Sequence, residues 1–286
     1  MKVTVLGLGI MGQGVAATLL REGFDVTVWN RSPGKASDLQ ATGASVAGTP
    51  REAVNDADVI LSILFDADSV LTVFDEASSA VRDGSVWVQA STIGIDGTRR
   101  VTRAAEAKGV SLIEAMMLGT KVPAEKGALV MLAAGDAGLI EKASPVLEAM
   151  GSKTVVAGQA VGDGSALKLA ANAWIASITA ATAQSIALAE ALGLDGDLFL
   201  QAIDGGASDT PYAHTKGATM LAHDYPAQFA LDGLRKDVGL ITEAASGAGV
   251  DVGLLTALSA VYAKASESGH GGDDIAAVYE GFAASR

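Results

Sequence analysis

The chain predicts an α/β fold: an N-terminal Rossmann-type doubly wound sheet, a long helix, and an all-α C-terminal domain. Three observations carry this expectation. Short β-branched runs alternate with amphipathic helical stretches through the first half. A G-x-G-x-x-G turn, Gly7, Gly9 and Gly12, directly follows the first such run. From Gly162 onward the pattern is helical and no strand is read. The division is placed at those glycines, giving 1–161 as the sheet domain and 162–286 as a helical domain that begins with the long helix.

The 286 residues suffice for two domains, and with 49% of them apolar a large core is available. A formal charge of −13 leaves no basic surface to neutralise a phosphate backbone, so nucleic acid is excluded as a partner. No cysteine is present, which removes disulfides and thiolate chemistry. The three histidines, His214, His223 and His270, lack metal-ligand spacing, and no metal is expected. The chain opens on a strand and a glycine turn rather than on the basic and apolar regions of a signal peptide. A cytoplasmic protein without a membrane segment is the expectation.

In order, a strand is expected over 2–6 and a helix over 11–22, with the glycine turn between them. Gly7 permits the tight turn, Gly9 lets backbone approach a diphosphate, and Gly12 lets the helix pack on the strand. The helix start, from Gly9 through Ile10 and Met11, then offers free N–H groups and a positive dipole end to phosphates. The next strand, 25–29, ends in Asn30, Arg31 and Ser32. An acid at this place would accept the ribose hydroxyls of NAD and repel a 2′-phosphate. With Asn30 there instead, Arg31 can pair with that phosphate and Ser32 can add a donor, which favours NADP(H). Alternation continues with strands over 44–46, 58–64, 85–89, 110–115, 128–134 and 153–156. Helices are expected over 49–55, capped by Thr49, and over 68–80, 96–108 and 139–150. The loops after Leu64 and at Ser91-Thr92-Ile93 follow strand C-termini, the edge where open parallel sheets bind ligands.

The stretch from Gly162 to about Leu192 holds a helical pattern for roughly seven turns. Lys168 and Asn172 stand one turn apart on one face. A lysine so placed is ordinarily part of a solvated face, but from Leu169 to Ala189 no residue is charged. Lys168 therefore sits at the edge of a helix meant for burial between protein layers, where an ammonium must find partners or release its proton more readily. Its Asn, Ser, Thr and Gln residues and its alanine content argue against a membrane span. Lys168 and Asn172 are the candidate catalytic pair. Further helices are expected over 197–203, 210–221, 231–248, 252–264 and 273–282.

Together these residues resemble the β-hydroxyacid dehydrogenase family, which includes 3-hydroxyisobutyrate dehydrogenase and relatives of 6-phosphogluconate dehydrogenase. Gly7-Leu8-Gly9-Ile10-Met11-Gly12 is similar to its cofactor loop and Ser91-Thr92-Ile93 to its strand-end cofactor motif. Gly162-Asp163-Gly164 with Lys168 and Asn172 matches its G-x-G-x-x-x-K-x-x-x-N signature, and Lys236-Asp237 matches the K-D of its C-terminal domain. Gly272-Asp273-Asp274 resembles the start of its final helix. The resemblance implies that Lys168 exchanges a proton with the substrate oxygen while hydride moves to or from the nicotinamide, and that Asn172 orients substrate or lysine. It implies cofactor contacts from Leu64, Thr92 and Lys236, the last closing over cofactor and substrate. It also implies a homodimer formed through the long helix and the C-terminal domain.

One motif departs. Where the family has D-A-P-V-S-G-G, with the serine and glycines holding a substrate carboxylate, this chain reads Glu114-Ala115-Met116-Met117-Leu118-Gly119-Thr120. Leu118, Gly119 and Thr120 are thus the candidate substrate-binding residues beside Lys168 and Asn172. Leu118 makes that wall apolar, and a bulkier or less acidic substrate than a simple 3-hydroxy acid is expected. The leading expectation is an NADP(H)-dependent interconversion of a carbonyl compound and its alcohol. An imine reductase, similar in its Asn-Arg-Ser loop and apolar serine motif, is the alternative against which Lys168 speaks. A non-catalytic NADPH-binding protein is the third.

Overall fold

A computed structural model describes residues 1–282. The first compact unit spans Met1–Lys168. Its elements are β1 (Lys2–Leu6), α1 (Ile10–Arg21), β2 (Asp25–Trp29), α2 (Ser37–Ala41), β3 (Ser45–Val46), α3 (Pro50–Val54), β4 (Val59–Ser62) and α4 (Ala67–Ala77). There follow β5 (Val86–Gln89), α5 (Gly94–Lys108), β6 (Leu112–Leu118), α6 (Lys121–Glu125), β7 (Leu129–Ala134), α7 (Ala137–Met150) and β8 (Gly151–Gly158). The strands form one sheet in the order β3-β2-β1-β4-β5-β6-β7-β8. The chain leaves β1 in one direction for β2 and β3 and then returns to place β4 on the other side of β1. Its topological switch point therefore lies at the C-terminal ends of β1 and β4, where such sheets take ligands.

The sheet is not parallel throughout. β7 runs antiparallel to β6, with Glu114 opposite Ala134 and Leu118 opposite Val130, while the other neighbours are parallel. The link between β6 and β7 holds only the single-turn α6, and a parallel return needs a crossover of about a dozen residues or more. This pairing also lengthens β6: Met116, Met117 and Leu118, expected beyond the end of a strand, are its last three residues. Both methionines are buried. On one sheet face Val5, Val28, Leu61, Val88 and Ala115 pack beneath α1 and α7, and on the other Trp87 and Phe74 meet edge to face.

The second unit begins at Leu169, inside α8 (Asp163–Ala191). It continues with α9 (Asp197–Ile203), α10 (Pro211–Ala222), α11 (Leu231–Gly247) and α12 (Gly253–Ala265). Helix α8 carries its polar residues by returning hydroxyls to its own carbonyls: Ser177 to Ala173 O, Thr179 to Ile175 O and Thr182 to Ile178 O. Tyr262 donates to Ala176 O, tying α12 to α8, and burial raises its hydroxyl pKa so that it stays a donor. One face of α8 is open, with Trp174 61% exposed and Leu188 exposed likewise. Absence of charge told nothing of which face would be covered.

The last segment, expected as an α-helix, is a 3-10 helix over Ile275–Gly281 that Asp274 caps by accepting from Ala276 N. The same carboxylate accepts from Gln228 N and Phe229 N and pairs with Lys216 at 2.6 Å, both side chains being buried. Asp274 thus fastens α10, the segment before α11 and the final turn to one another. Lys216→Ala strands this carboxylate without its cation, and removing one partner of a buried pair costs about 3–5 kcal/mol. A fall of that size in urea unfolding monitored on the full chain checks the prediction.

Candidate functional site

At the switch point, backbone sterics dictate the glycines. Gly7 has φ +104°, and a Cβ on it would strike the Ile63 carbonyl and crowd Leu64 Cδ2. A Cβ on Gly12 would strike the Gly7 carbonyl, so α1 can lie this close to β1 only without a side chain there. Gly9 differs: a Cβ on it meets nothing within 4 Å. It is the N-cap of α1, which has no side-chain cap and no acid in its first turn. Open space above Gly9 and unmet N–H groups at Ile10 and Met11 form a cradle whose chemistry suits a diphosphate.

β2 ends beside this turn. Trp29 O accepts from Gly7 N, and Asn30 Oδ1 accepts from Leu8 N at 2.9 Å while its Nδ2 donates to Ser32 O at 3.1 Å. Asn30 therefore holds the glycine turn and the following loop in one register, a use that the comparison with an acid did not suggest. Trp29, Asn30, Arg31, Pro33, Ala36, Val46, Ala47 and Gly48 line a cavity of about 280 Å³. Arg31 is exposed at its rim, and Ser32 is exposed next to it.

The ends of β4 and β5 are locked by a buried polar chain. Trp87 Nε1 donates to Ser62 Oγ, Ser62 Oγ to Gln89 Oε1, and Gln89 Nε2 to Ser91 O. Ser91 Oγ donates to Ser62 O and accepts from Leu64 N. Leu64 and the half-buried Thr92 thus stand on a braced edge. Sequence reasoning found Ser91 by its place after a strand and by resemblance, and missed Ser62 and Gln89, although two polar residues within apolar strand runs were the available signal.

The start of α8 is fastened to the sheet by Glu114, in the middle of β6. Its Oε2 accepts from Gly162 N at 2.7 Å and Ser165 N at 3.2 Å, and its Oε1 from the Ser165 hydroxyl and from Thr98 Oγ1. A Cβ on Gly164 would come within 3.1 Å of both Glu114 Oε2 and Leu132 O, and Gly162 has φ +120°. The two glycines of the G-x-G pair therefore serve different needs, a reversed backbone and a close approach. Lys168 is 7% exposed and Asn172 is buried one turn on, so the helix presents both on its covered face. Asn172 Nδ2 donates to Asp237 Oδ2 at 2.7 Å, and Lys236 Nζ lies 2.9 Å from Asp237 Oδ1. Asp237, named in the sequence only as half of a motif, is the group that fixes the asparagine amide.

Leu118 is half-buried at the end of β6. Gly119 has φ +139°, and a Cβ on it would crowd Leu129 and Pro123. Thr120 is the N-cap of α6 but makes no side-chain cap bond. Among the described residues one group brings metal-ligating atoms within 4.8 Å, Asp204, Asp209 and His214. There His214 Nε2 is hydrogen-bonded to Asp209 Oδ1 at 2.7 Å, and the pairing is explained without an ion. No helix of the described residues is long and apolar enough to cross a membrane.

Residues 2–158 match the model of the NAD binding domain of 6-phosphogluconate dehydrogenase, and residues 162–282 match that of the NAD-binding domain of NADP-dependent 3-hydroxyisobutyrate dehydrogenase. Glyoxylate/succinic semialdehyde reductase 1 of Arabidopsis thaliana is 34% identical over the full length of both chains. The solved 3-hydroxyisobutyrate dehydrogenase of Mycobacterium tuberculosis, with L-serine, is 29% identical at a TM-score of 0.89, covering 99% of each chain. An imine reductase of Myxococcus stipitatus in complex with NADP+ is 26% identical at a TM-score of 0.65, covering 98% of this chain and 99% of its own.

The steric contrast within the glycine turn predicts opposite outcomes for the same substitution. Gly12→Ala overpacks the α1–β1 contact and lowers stability by about 1–3 kcal/mol, whereas Gly9→Ala, at φ −72° in open space, stays within about 1 kcal/mol of the parent. Thermal unfolding of both variants without added nucleotide measures the difference.

Proposed function

The chain belongs to the β-hydroxyacid dehydrogenase family, with a nicotinamide dinucleotide-binding domain of the 6-phosphogluconate dehydrogenase type, and on that premise we propose that it is an NADP(H)-dependent oxidoreductase interconverting an aldehyde or related carbonyl compound and its alcohol. The observation that carries the reading is Lys168: a nearly buried amine on the second turn of a helix whose first turn is fixed to the sheet, with Asn172 one turn further. The residues present fit the dinucleotide. Gly7, Leu8, Gly9, Ile10, Met11 and Gly12 cradle its diphosphate, and Asn30, Arg31 and Ser32 with their cavity take the ribose bearing a 2′-phosphate. Leu64, Thr92 and Lys236 are the remaining cofactor residues of the proposal.

When bound, the dinucleotide supplies hydride in reduction and accepts it in oxidation. Lys168 Nζ gives its proton to the substrate oxygen in the first direction and takes it back in the second. Asp237 takes one N–H of Asn172 Nδ2 and so fixes the sense of the amide, with Asn172 Oδ1 as the acceptor that orients a hydroxyl or an ammonium. Lys236 offsets the charge of Asp237 while it does so. Leu118, in the place of a carboxylate-binding hydroxyl, and Thr120 favour an aldehyde whose remaining chain is more apolar than that of a simple 3-hydroxy acid. The named activity of the Arabidopsis relative sets glyoxylate and succinic semialdehyde as the first substrates to compare. The open face of α8 around Trp174 and Leu188 supports a homodimer through that helix.

Absorbance of NADPH followed with glyoxylate, succinic semialdehyde, longer aliphatic aldehydes and cyclic imines tests the reading. Lys168→Ala is expected to lower aldehyde turnover by about 10²–10⁴-fold with NADPH binding retained. Turnover of imines alone would replace this reading with imine reduction, and NADPH binding without turnover on any panel would make the protein a binding module.

Arg31→Ala tests the cofactor choice separately. Loss of a charge-assisted contact worth about 1.5–3 kcal/mol raises the NADPH KM by about 10–100-fold and leaves the NADH KM nearly unchanged. Equal effects on the two cofactors would remove Arg31 from the phosphate site.

A further inference from the structure

We propose that Glu114 is a positioning residue for Lys168, acting through the first turn of α8 and without touching substrate. The inference rests on the reading of Lys168 as the proton donor. Glu114 is fully buried in a strand whose neighbouring residues, Ile113, Ala115 and Met116, are apolar and buried too. A carboxyl group in such a place costs free energy unless its bonding is satisfied, and the sheet itself has no use for it. The groups that do satisfy it lie on two helices: Thr98 of α5, and Gly162 and Ser165 at the start of α8.

The first N–H groups of a helix have no partner within it and are usually met by the residue that precedes them. Here a strand distant in sequence meets two of them. Ser165 is bound through both its N–H and its hydroxyl, and that hydroxyl also lies 2.9 Å from Thr98 Oγ1. Gly162 adds a contact three residues earlier. Contacts at both residues and at both oxygens of one carboxylate fix the helix along its axis and about it. Ser165 lies three residues before Lys168 and so on the same face, while a helix turns through about 100° per residue. A slight rotation of the first turn would carry the amine away from the place where its proton is needed. Gly164 suits the same contact, because a Cβ there would crowd both Glu114 Oε2 and Leu132 O.

Glu114→Gln keeps size and shape but turns one acceptor oxygen into an NH₂ donor facing other donors. In the full chain, with the aldehyde that the parent protein turns over, kcat is expected to fall by at least about tenfold, since misplacement of a reacting group by about 1 Å can cost 10²-fold. KM for NADPH is expected to stay within twofold, because the glycine turn and Arg31 are untouched. Hydrogen exchange at the start of α8 should quicken, and Glu114→Asp, which restores both acceptor oxygens, should recover part of kcat. Unchanged kcat with unchanged exchange in Glu114→Gln overturns the proposal, as does an equal loss of NADPH affinity and kcat, the mark of general damage. Should Glu114→Gln not fold, Ser165→Ala is read instead, with the same split expected on a smaller scale and an unchanged kcat overturning the proposal. Lys168→Ala run alongside separates the two readings. Full turnover in that variant sinks the proton-donor role and this inference with it, whereas loss there beside normal Glu114→Gln turnover sinks only the positioning role.

Discussion

Backbone N–H groups at a helix start have no partner inside their helix, and this chain meets that constraint in opposite ways at two places in one unit. At α1 nothing among the described residues supplies an anion: the N-cap is Gly9, no side chain caps it, and the first turn holds no acid. At α8 the buried carboxylate of Glu114 takes the N–H groups of Gly162 and Ser165. A start left open suits an anionic ligand, and a start closed internally suits a helix that must not move. The glycines at both places follow from these choices. Gly9 keeps a surface clear, whereas Gly164 lets a helix press against a strand.

The remaining support comes from polar groups placed within apolar strands. Trp87, Ser62, Gln89 and Ser91 form a continuous hydrogen-bonded chain under the ends of β4 and β5. Buried polar groups are costly when unsatisfied and rigid when fully bonded. Through Ser91 this chain ends at Leu64 N, and Leu64 in turn lies against Gly7. The proposed cofactor edge is thus braced from below by residues that need never touch a ligand. Geometry near the proposed chemistry must hold to about 0.5 Å, which a loop resting on apolar packing alone would not provide.

How much could be read beforehand depended on the range of each interaction. The strands β1 and β2, the glycine turn and the Thr49 cap were legible because their causes are local: β-branched runs, close backbone approach and a side chain bonding three residues on. The direction of β7 was not, because hydrophobic periodicity carries no sense of direction. Only the short link after Leu118 hinted at it. Asn30 was noticed for the acid it replaces, yet its bond to Leu8 N joins residues 22 apart and leaves no trace in local pattern. Glu114 was still less legible, since its partners Thr98, Gly162 and Ser165 are remote in sequence and a lone acid in an apolar run can as well mark an edge. The uncharged run of α8 was read as a helix buried between protein layers, but it could not say which face stays open, since alanine suits a covered and an open face alike.

α8 is one continuous helix, and the first compact unit ends within it at Lys168. The spacing from Lys168 to Asn172 is therefore set by helical geometry alone, one turn of about 5.4 Å, and needs no tertiary contact to hold it. What tertiary contacts add is orientation, and they add it separately to each residue. Glu114 and Thr98 secure the turn before the lysine, while Asp237, paired with Lys236, secures the asparagine amide. Two anchors on one stiff rod orient the two residues through separate contacts. In the proposed chemistry that separates the placement of the proton from the orientation of the group that receives it.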